Sequence, residues 1–170
     1  AEPTVLATSV SASAAICNAQ SNGTILVAAN GGVSPYQYSL NGTTWQGSNM
    51  FNVPAGNYTI TIRDANGCIS TQNTTITEPA VLAANAVATN ASCDGGNDGT
   101  IVVTANGGNS SYSYSIDGIN FQSSNQFNVA PGNYTVTVKD NLGCSTTFNT
   151  TVGLTDNLTL AQQADPVICE

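Results

Sequence analysis

Five cysteines carry the most distinctive chemistry in this chain of 170 residues: Cys17, Cys68, Cys93, Cys144 and Cys169. Several cysteines in one short chain commonly either bind a metal ion or form disulfide bonds. No Cys-x-x-Cys spacing occurs and the chain contains no histidine, so the common ligand sets for zinc are lacking. We therefore expect the cysteines to form disulfide bonds, and we expect no cofactor.

The lack of histidine also argues against catalysis, because it removes the ordinary general base near pH 7 and any Ser/His or Cys/His pair. Only Arg63 and Lys139 oppose ten carboxylates, which leaves a net charge of -8. Two cations cannot neutralise a run of phosphates, so nucleic acid is excluded as a partner. No apolar stretch is long enough for a spanning helix, so no membrane insertion is expected. The composition predicts a protein that is not an enzyme.

A group of oxygen ligands that could suit calcium lies in the run 93–99, at Asp94, Asn97 and Asp98. Calcium prefers several carboxylate and carbonyl oxygens supplied by a flexible loop. However, the corresponding run 17–23, which aligns with 93–99 when Cys17 is placed on Cys93, contains no carboxylate. A polar turn between strands is therefore the preferred interpretation of 93–99, and a calcium site is the alternative.

The offset that places Cys17 on Cys93, here called the repeat offset, organises the whole chain. It also aligns Cys68 with Cys144, and more than half of the residues in 17–76 are identical to their counterparts in 93–152. Such identity at one fixed offset indicates a tandem structural repeat. Cys169 follows Cys93 by the same offset, so it occupies the first-cysteine position of a third copy. We predict repeats at 1–79 and 80–155, and a segment 156–170 that begins a third repeat or is donated as a strand to a neighbouring subunit.

Short β-strands must position these residues, because each copy alternates apolar and polar side chains. Tyr58, Ile60 and Ile62 share one face of a run whose other residues are polar, which is the period of two typical of a half-buried strand. Turn signals such as Asn41-Gly42 separate the runs. About seven such strands per copy predict an all-β fold of tandem antiparallel β-sandwiches of the immunoglobulin type.

Two disulfide pairings are compatible with the repeat. Pairing within each copy joins Cys17 to Cys68 and Cys93 to Cys144, whereas pairing across the linkers joins Cys68 to Cys93 and Cys144 to Cys169. We prefer the first, although it joins positions expected at opposite ends of an immunoglobulin-type sandwich. In either case the bonds are structural, as is common in small secreted domains.

The motifs of each copy are similar to those of a known family. The run 31–42, GGVSPYQYSLNG, and the run 55–68, AGNYTITIRDANGC, resemble the SprB-type repeat of gliding-motility adhesins. These are cell-surface proteins of the Bacteroidota exported by the type IX secretion system. The second copy matches through Tyr112, Tyr114 and Gly143-Cys144, but has Ser111 where the family favours proline.

This resemblance implies a secreted protein of the cell surface or of an extracellular fibre, without enzymatic activity. We expect a structural stalk or filament whose partners are neighbouring copies of the chain. The alternative is an adhesin module that binds a surface glycan or protein.

Other side chains have simpler expected roles. Arg63-Asp64 and Lys139-Asp140 end the same strand of each copy, where the aspartate should cap a turn and the cation should protect a strand edge. Trp45 and Phe51 are expected in the core, with carbohydrate binding as the alternative for Trp45. Asn57 and Asn133 begin a strand and would be poor glycan acceptors. The better candidate acceptors for N-linked glycosylation are Asn22, Asn41, Asn73, Asn90, Asn109, Asn149 and Asn157.

Overall fold

The structure, a computed structural model, describes residues 4–92 and 96–155. Within these residues every regular element is a β-strand, so no helix that could span a membrane is found there. Each strand of the second repeat has a counterpart of equal length in the first, displaced by the repeat offset. The strands of repeat 1 are β1 (Ala7–Ser13), β2 (Gly23–Asn30), β3 (Gln37–Ser39), β4 (Met50–Val53), β5 (Gly56–Arg63) and β6 (Ile69–Ile76). Those of repeat 2 are β7 (Ala83–Thr89), β8 (Gly99–Asn106), β9 (Ser113–Ser115), β10 (Gln126–Val129), β11 (Gly132–Lys139) and β12 (Ser145–Val152).

Each repeat is a sandwich of two three-stranded sheets. In repeat 1 the sheets have the orders β1-β2-β4 and β3-β5-β6, and in repeat 2 the orders β7-β8-β10 and β9-β11-β12. The pairing is antiparallel in both sheets of repeat 1. With β1, β2 and β4 as strands A, B and E, and β3, β5 and β6 as strands C, F and G, this is the arrangement of an immunoglobulin sandwich. The predicted tandem immunoglobulin-like fold is confirmed, although each repeat has six strands where about seven were expected. The residues between β3 and β4 form turns and the isolated bridge of Tyr38 with Gln46.

The core of repeat 1 lies between the inward faces of its central strands. Ile25 and Val27 of β2 face Ile60 and Ile62 of β5, and all four side chains are fully buried. The residues between them on each strand point outward, as the period of two predicts. Repeat 2 buries Ile101, Val103, Val136 and Val138 at the corresponding positions.

By its internal contacts the chain forms two compact units. The first contains repeat 1 together with Asn106–Tyr112 and Lys139–Thr146, and the second contains the remaining strands of repeat 2. The predicted domain boundaries at residues 79 and 155 stay predictions.

Two glycines of repeat 1 differ in their surroundings although their backbones are alike. Gly31 and Gly42 adopt φ values of 73° and 72°, in the left-handed region that L side chains disfavour. A Cβ atom on Gly31 would collide with the carbonyl oxygen of Val5, whereas one on Gly42 would have nothing within 4 Å. Substituting alanine at each of the two glycines therefore measures the cost of backbone strain alone at Gly42 and of strain plus steric collision at Gly31.

We expect Gly42→Ala to lower the free energy of unfolding by about 1 to 2 kcal/mol, the cost of a left-handed alanine. Gly31→Ala should lower it by a further 1 to 3 kcal/mol or so, because backbone must move to admit the methyl group. Urea unfolding of the two variants measures the difference. Equal losses would show that the collision near Val5 is relieved without cost.

Candidate functional sites

An aspartate holds the turn before the last strand of each repeat. The carboxylate of Asp64 is almost fully buried and accepts hydrogen bonds from the backbone N–H groups of Val33 at 3.0 Å, Asn66 at 2.9 Å and Cys68 at 2.8 Å. In repeat 2, Asp140 accepts the same three bonds, from the N–H groups of Asn109, Leu142 and Cys144. The predicted capping role of both aspartates agrees with this geometry, and the cap also fixes the backbone of Cys68 and Cys144.

The pKa of each capping aspartate is lowered. Burial of the Asp64 carboxyl opposes its ionisation, but the N–H groups of Val33, Cys68, Asn66 and Gly67 outweigh burial and hold the pKa below the ordinary value of 3.8. Burial likewise opposes ionisation of Asp140, but the backbone and side-chain N–H groups of Asn109, with the backbone N–H groups of Cys144 and Leu142, outweigh it and lower the pKa of Asp140. The folded state therefore binds these protons less readily than the unfolded state does. The stabilisation is complete above the unfolded pKa and is lost as the pH falls through the folded pKa.

We expect the melting temperature to fall as the pH is lowered below about 4, where these carboxylates become protonated. The double variant Asp64→Asn, Asp140→Asn should melt at a lower temperature at pH 7 and should lose less on acidification. Thermal melts followed by circular dichroism at pH 7 and pH 3 measure both effects. Parallel pH profiles for the two proteins would contradict a role for these aspartates.

A disulfide bond joins Cys17 to Cys144, with the Cα atoms 5.6 Å apart, and Cys68 is a free, exposed thiol. Cys17 and Cys144 both belong to the first compact unit. This bond differs from both pairings that the sequence suggested for these residues. Cys93 and Cys169 lie outside the described residues, so their participation in disulfides stays a prediction.

The preferred pairing of Cys17 with Cys68 is wrong for a geometric reason. The hydroxyl of Thr8 donates to that of Ser70 at 2.8 Å, so β6 starts beside the start of β1. Cys68 precedes β6, whereas Cys17 follows the end of β1. A seven-residue strand, roughly 20 Å long, therefore separates the two thiols, and a disulfide needs Cα atoms within about 7 Å.

The segment that carries Cys17, residues 16–22 and here called the Cys17 loop, is held at several points. Ile16 N–H donates to Asn22 Oδ1 at 2.8 Å, and Ala19 N–H donates to Glu78 Oε2 at 2.7 Å. The side-chain amide of Asn109 donates to the carbonyl of Ile16 at 2.9 Å. The sequence predicted Asn109 only as a glycan acceptor and did not reveal this contact with the Cys17 loop. The sequence feature that could have indicated this role is the difference between the two copies at this position, which is Val33 in repeat 1.

The candidate calcium loop is partly described. Ser92 N–H donates to Asp98 Oδ1 at 3.0 Å, the counterpart of the bond from Ile16 to Asn22 in repeat 1. The hydroxyl and N–H groups of Ser92 lower the pKa of Asp98. One carboxylate oxygen thus has a structural role that an amide fills in the other copy. Asp94 lies outside the described residues, and Asn97 is described as part of a bend, so calcium binding stays a prediction.

Trp45 stands in a polar cluster. The guanidinium carbon of Arg63 lies 4.4 Å from the centre of the Trp45 ring, and the same guanidinium donates to the side-chain oxygen of Gln37. Phe51 packs against the core of repeat 1 as expected, but the core role expected for Trp45 is wrong. The edge role expected for Arg63 and Lys139 is also wrong, since β5 and β11 are the central strands of their sheets. Arg63 is better placed to hold the indole in one orientation.

A groove of about 600 Å³ adjoins this cluster. It is lined by Pro35, Tyr36, Gln37, Gly47, Arg63 and the turn 64–67. Repeat 2 has Ser111, Ser113, Phe121 and Lys139 where repeat 1 has Pro35, Gln37, Trp45 and Arg63. The groove lining combines the Tyr36 ring, the Arg63 guanidinium and the Gln37 amide, a set suited to a polar ligand. Trp45 is outside the lining and contacts it through Arg63. Gln37 was missed by the sequence reasoning, and its signal was again a difference between copies.

The candidate glycan acceptors fall into different environments. Asn41 caps the turn after β3, where its side-chain oxygen accepts the N–H groups of Thr43 and Thr44. Asn22 and Asn109 are half-buried, and Asn90 is exposed. Asn73 and Asn149 are exposed on β6 and β12. Asn157 lies outside the described residues, and glycosylation at any of these positions stays a prediction.

A family model matches a segment of each repeat. The family model of the SprB repeat matches two segments, residues 9–44 and 85–121, which confirms the resemblance in both copies. No curated protein matches the chain.

Several solved structures resemble the fold. A C-terminal 282-residue fragment of intimin, in complex with the intimin-binding domain of the translocated intimin receptor, has 14% identity and a TM-score of 0.42, covering 91% of this chain and 66% of the fragment. A Dscam structure has 17% identity and a TM-score of 0.38, covering 91% of this chain and 47% of that one. Domains 4 and 5 of the S-layer protein SbsC have 12% identity and a TM-score of 0.34, covering 91% and 99%.

Proposed function

We propose that these two SprB repeats form part of an extracellular repeat protein that acts as a structural stalk or filament at the cell surface and has no catalytic role. The observation that carries the proposal is the recurrence of every strand of repeat 1 in repeat 2 at one fixed interval. Arrays of this kind extend a chain by adding units, each with its own buried core. The Cys17–Cys144 disulfide supports a location outside the cytosol, because disulfides persist in oxidising compartments.

The outward faces of the sandwiches support the same proposal. On repeat 1 the hydroxyl of Thr59 donates to Asn73 Oδ1 at 2.9 Å and that of Thr75 donates to Asn57 Oδ1 at 2.7 Å. Repeat 2 has the same two cross-strand bonds, from Thr135 to Asn149 and from Thr151 to Asn133. Each of these faces consists mainly of threonine and asparagine and carries one charged side chain, Arg63 or Lys139, so it can lie against a copy of the chain with little charge repulsion despite the net charge of -8.

Negative-stain electron microscopy of the full chain tests the filament proposal. Long fibres of uniform width are the expected result. Isolated particles at all concentrations would contradict assembly into a filament by this chain.

Residues 156–170 lie outside the described part of the chain, and their proposed role is separate. We propose that this segment is donated as a strand to a sheet edge of a neighbouring subunit, as in other strand-addition complexes. Deletion of 156–170 should then abolish fibres while leaving the melting temperature of the two sandwiches unchanged. Fibres that survive the deletion would overturn strand donation.

A second candidate function, adhesion to a surface glycan, is favoured by the Trp45, Arg63 and Gln37 cluster and its groove. Indole rings stack on sugar faces, and a guanidinium can bind an acidic sugar through paired hydrogen bonds. Trp45→Phe copies the residue that repeat 2 uses and should abolish binding on a glycan array. Phe121→Trp is the matched control and should leave binding unchanged. Equal binding by both variants would contradict a site at Trp45.

A further inference from the structure

Cys68 occupies the same backbone setting as the bonded Cys144. In the Cys144 turn, residues 140–144, Cys144 N–H donates to Asp140 Oδ1 at 2.8 Å and Asp140 N–H donates to the carbonyl of Cys144 at 2.9 Å. In the Cys68 turn, residues 64–68, the equivalent bonds measure 2.8 and 3.0 Å. Gly67 and Gly143, which precede the two cysteines, have φ values of 85° and 88°.

The Cys144 turn already holds a partner, the Cys17 loop. Besides the disulfide, the side-chain amide of Asn109 donates to both the carbonyl of Ile16 and the carboxylate of Asp140, each at 2.9 Å. The Cys68 turn has the same shape and an exposed thiol, and the Cys17 loop of its own repeat is bonded to Cys144. A turn shaped for this loop therefore stands open in repeat 1.

We propose that Cys68 is the attachment point for the first-cysteine loop of another repeat, so that the first cysteine of each repeat bonds to the second cysteine of the repeat that follows. The occupant is a loop of the Cys17 kind from a second copy of the chain or a further repeat of the same array. The bond forms when the Cys68 thiol and the incoming thiol each lose a proton and together lose two electrons. A disulfide oxidant such as oxidised glutathione accepts them and becomes two glutathione thiols.

One contact differs between the two turns, and this difference suggests a substitution that should strengthen binding of the incoming loop to the Cys68 turn. Val33 stands where repeat 2 has Asn109, so the incoming loop would lack the hydrogen bond that Asn109 gives to the carbonyl of Ile16. Val33→Asn should restore it, and Val33 N–H already donates to Asp64 as Asn109 N–H donates to Asp140. One added hydrogen bond of this kind corresponds to a gain of about two- to tenfold in coupling.

The test uses two full-length variants. The acceptor carries Cys93→Ser and Cys169→Ser, which leaves Cys68 as its free thiol. The donor carries Cys68→Ser, Cys93→Ser, Cys144→Ser and Cys169→Ser, which leaves Cys17 in its native loop. They are mixed in a glutathione redox buffer, and the linkage is identified by mass spectrometry of an unreduced digest. A peptide of residues 12–22 serves as a second donor, because the donor protein lacks its disulfide.

A matched acceptor supplies the control: Cys68→Ser with Ile69→Cys moves the thiol to the next residue, which is also exposed. We expect the Cys17–Cys68 linkage to exceed the linkage at residue 69 by at least about tenfold, and Val33→Asn to raise it further. Equal coupling at 68 and 69 with both donors would overturn the proposal. The proposed attachment at Cys68 rests on the proposed function as a stalk or filament, but experiment can contradict either one without the other. Fibres without preferred coupling would overturn only the attachment at Cys68.

Discussion

Replacing Cys17 with serine is expected to lower the free energy of unfolding by about 3 to 5 kcal/mol, because the Cys17–Cys144 bond closes a loop of 127 residues. A cross-link restricts the unfolded chain, and the entropy that it removes grows with the logarithm of the loop length. Guanidinium unfolding under oxidising conditions measures the loss. Reduction of the natural chain should produce a loss of similar size.

Cys68→Ser is the matched control, because it removes a thiol that is exposed and unbonded in the structure. Its free energy of unfolding should stay within about 0.5 kcal/mol of that of the natural chain. An unfolding midpoint for Cys17→Ser as high as that for Cys68→Ser would contradict the Cys17–Cys144 pairing.

Truncating the centre of the repeat 1 core is the second large effect that we expect. Ile60 is fully buried on the central strand β5, where it packs with Ile25 and Val27 of the facing sheet. Ile60→Ala removes three carbon atoms and leaves a cavity that the two rigid sheets cannot close. The free energy of unfolding should fall by about 2 to 5 kcal/mol.

Ile69→Ala is the control for this second prediction, since the same atoms are removed from a side chain that is 60% exposed. It should cost no more than about 0.5 kcal/mol. Urea unfolding of the two variants gives the comparison. Equal losses would mean that burial at residue 60 does not stabilise the sandwich.

The fold was predictable because its signals are local and occur twice. The alternation around Ile60 needs only the period of a strand, and the turn at Asp64 needs only its near neighbours in the chain, apart from the N–H group of Val33. Because each strand and turn pattern occurs again at the repeat offset, the second copy provides independent evidence for each element. Signals of this kind remain in the sequence whatever the tertiary packing.

Side chains whose roles depend on tertiary contacts were harder to predict. The partner of Cys17 is 127 residues away, and no local pattern distinguishes Cys144 from Cys68. Ser39 shows the same limit: its polarity suggests exposure, yet it is fully buried, and its hydroxyl accepts the N–H group of Gly42 at 2.9 Å. Trp45 is expected in the core because the aromatic Phe121 takes its position in repeat 2, whereas it lies between β3 and β4 next to Arg63 of β5, which in turn bonds Gln37 of β3.

The covalent loop closed at Cys17 and Cys144 determines how this protein would respond to pulling. Tension applied to the chain outside the loop passes directly through the sulfur–sulfur bond, because that bond is the shortest covalent route between the two flanks. Strands β2 to β11 lie within the loop, so their unfolding cannot lengthen the chain between the two flanks, while β1 and β12 lie on the loaded route. Roughly 440 Å of extensible chain is thereby withheld until the bond is reduced. After reduction, unfolding of the sandwiches under load would release this length, so a reductant would greatly increase the distance to which the segment can be stretched.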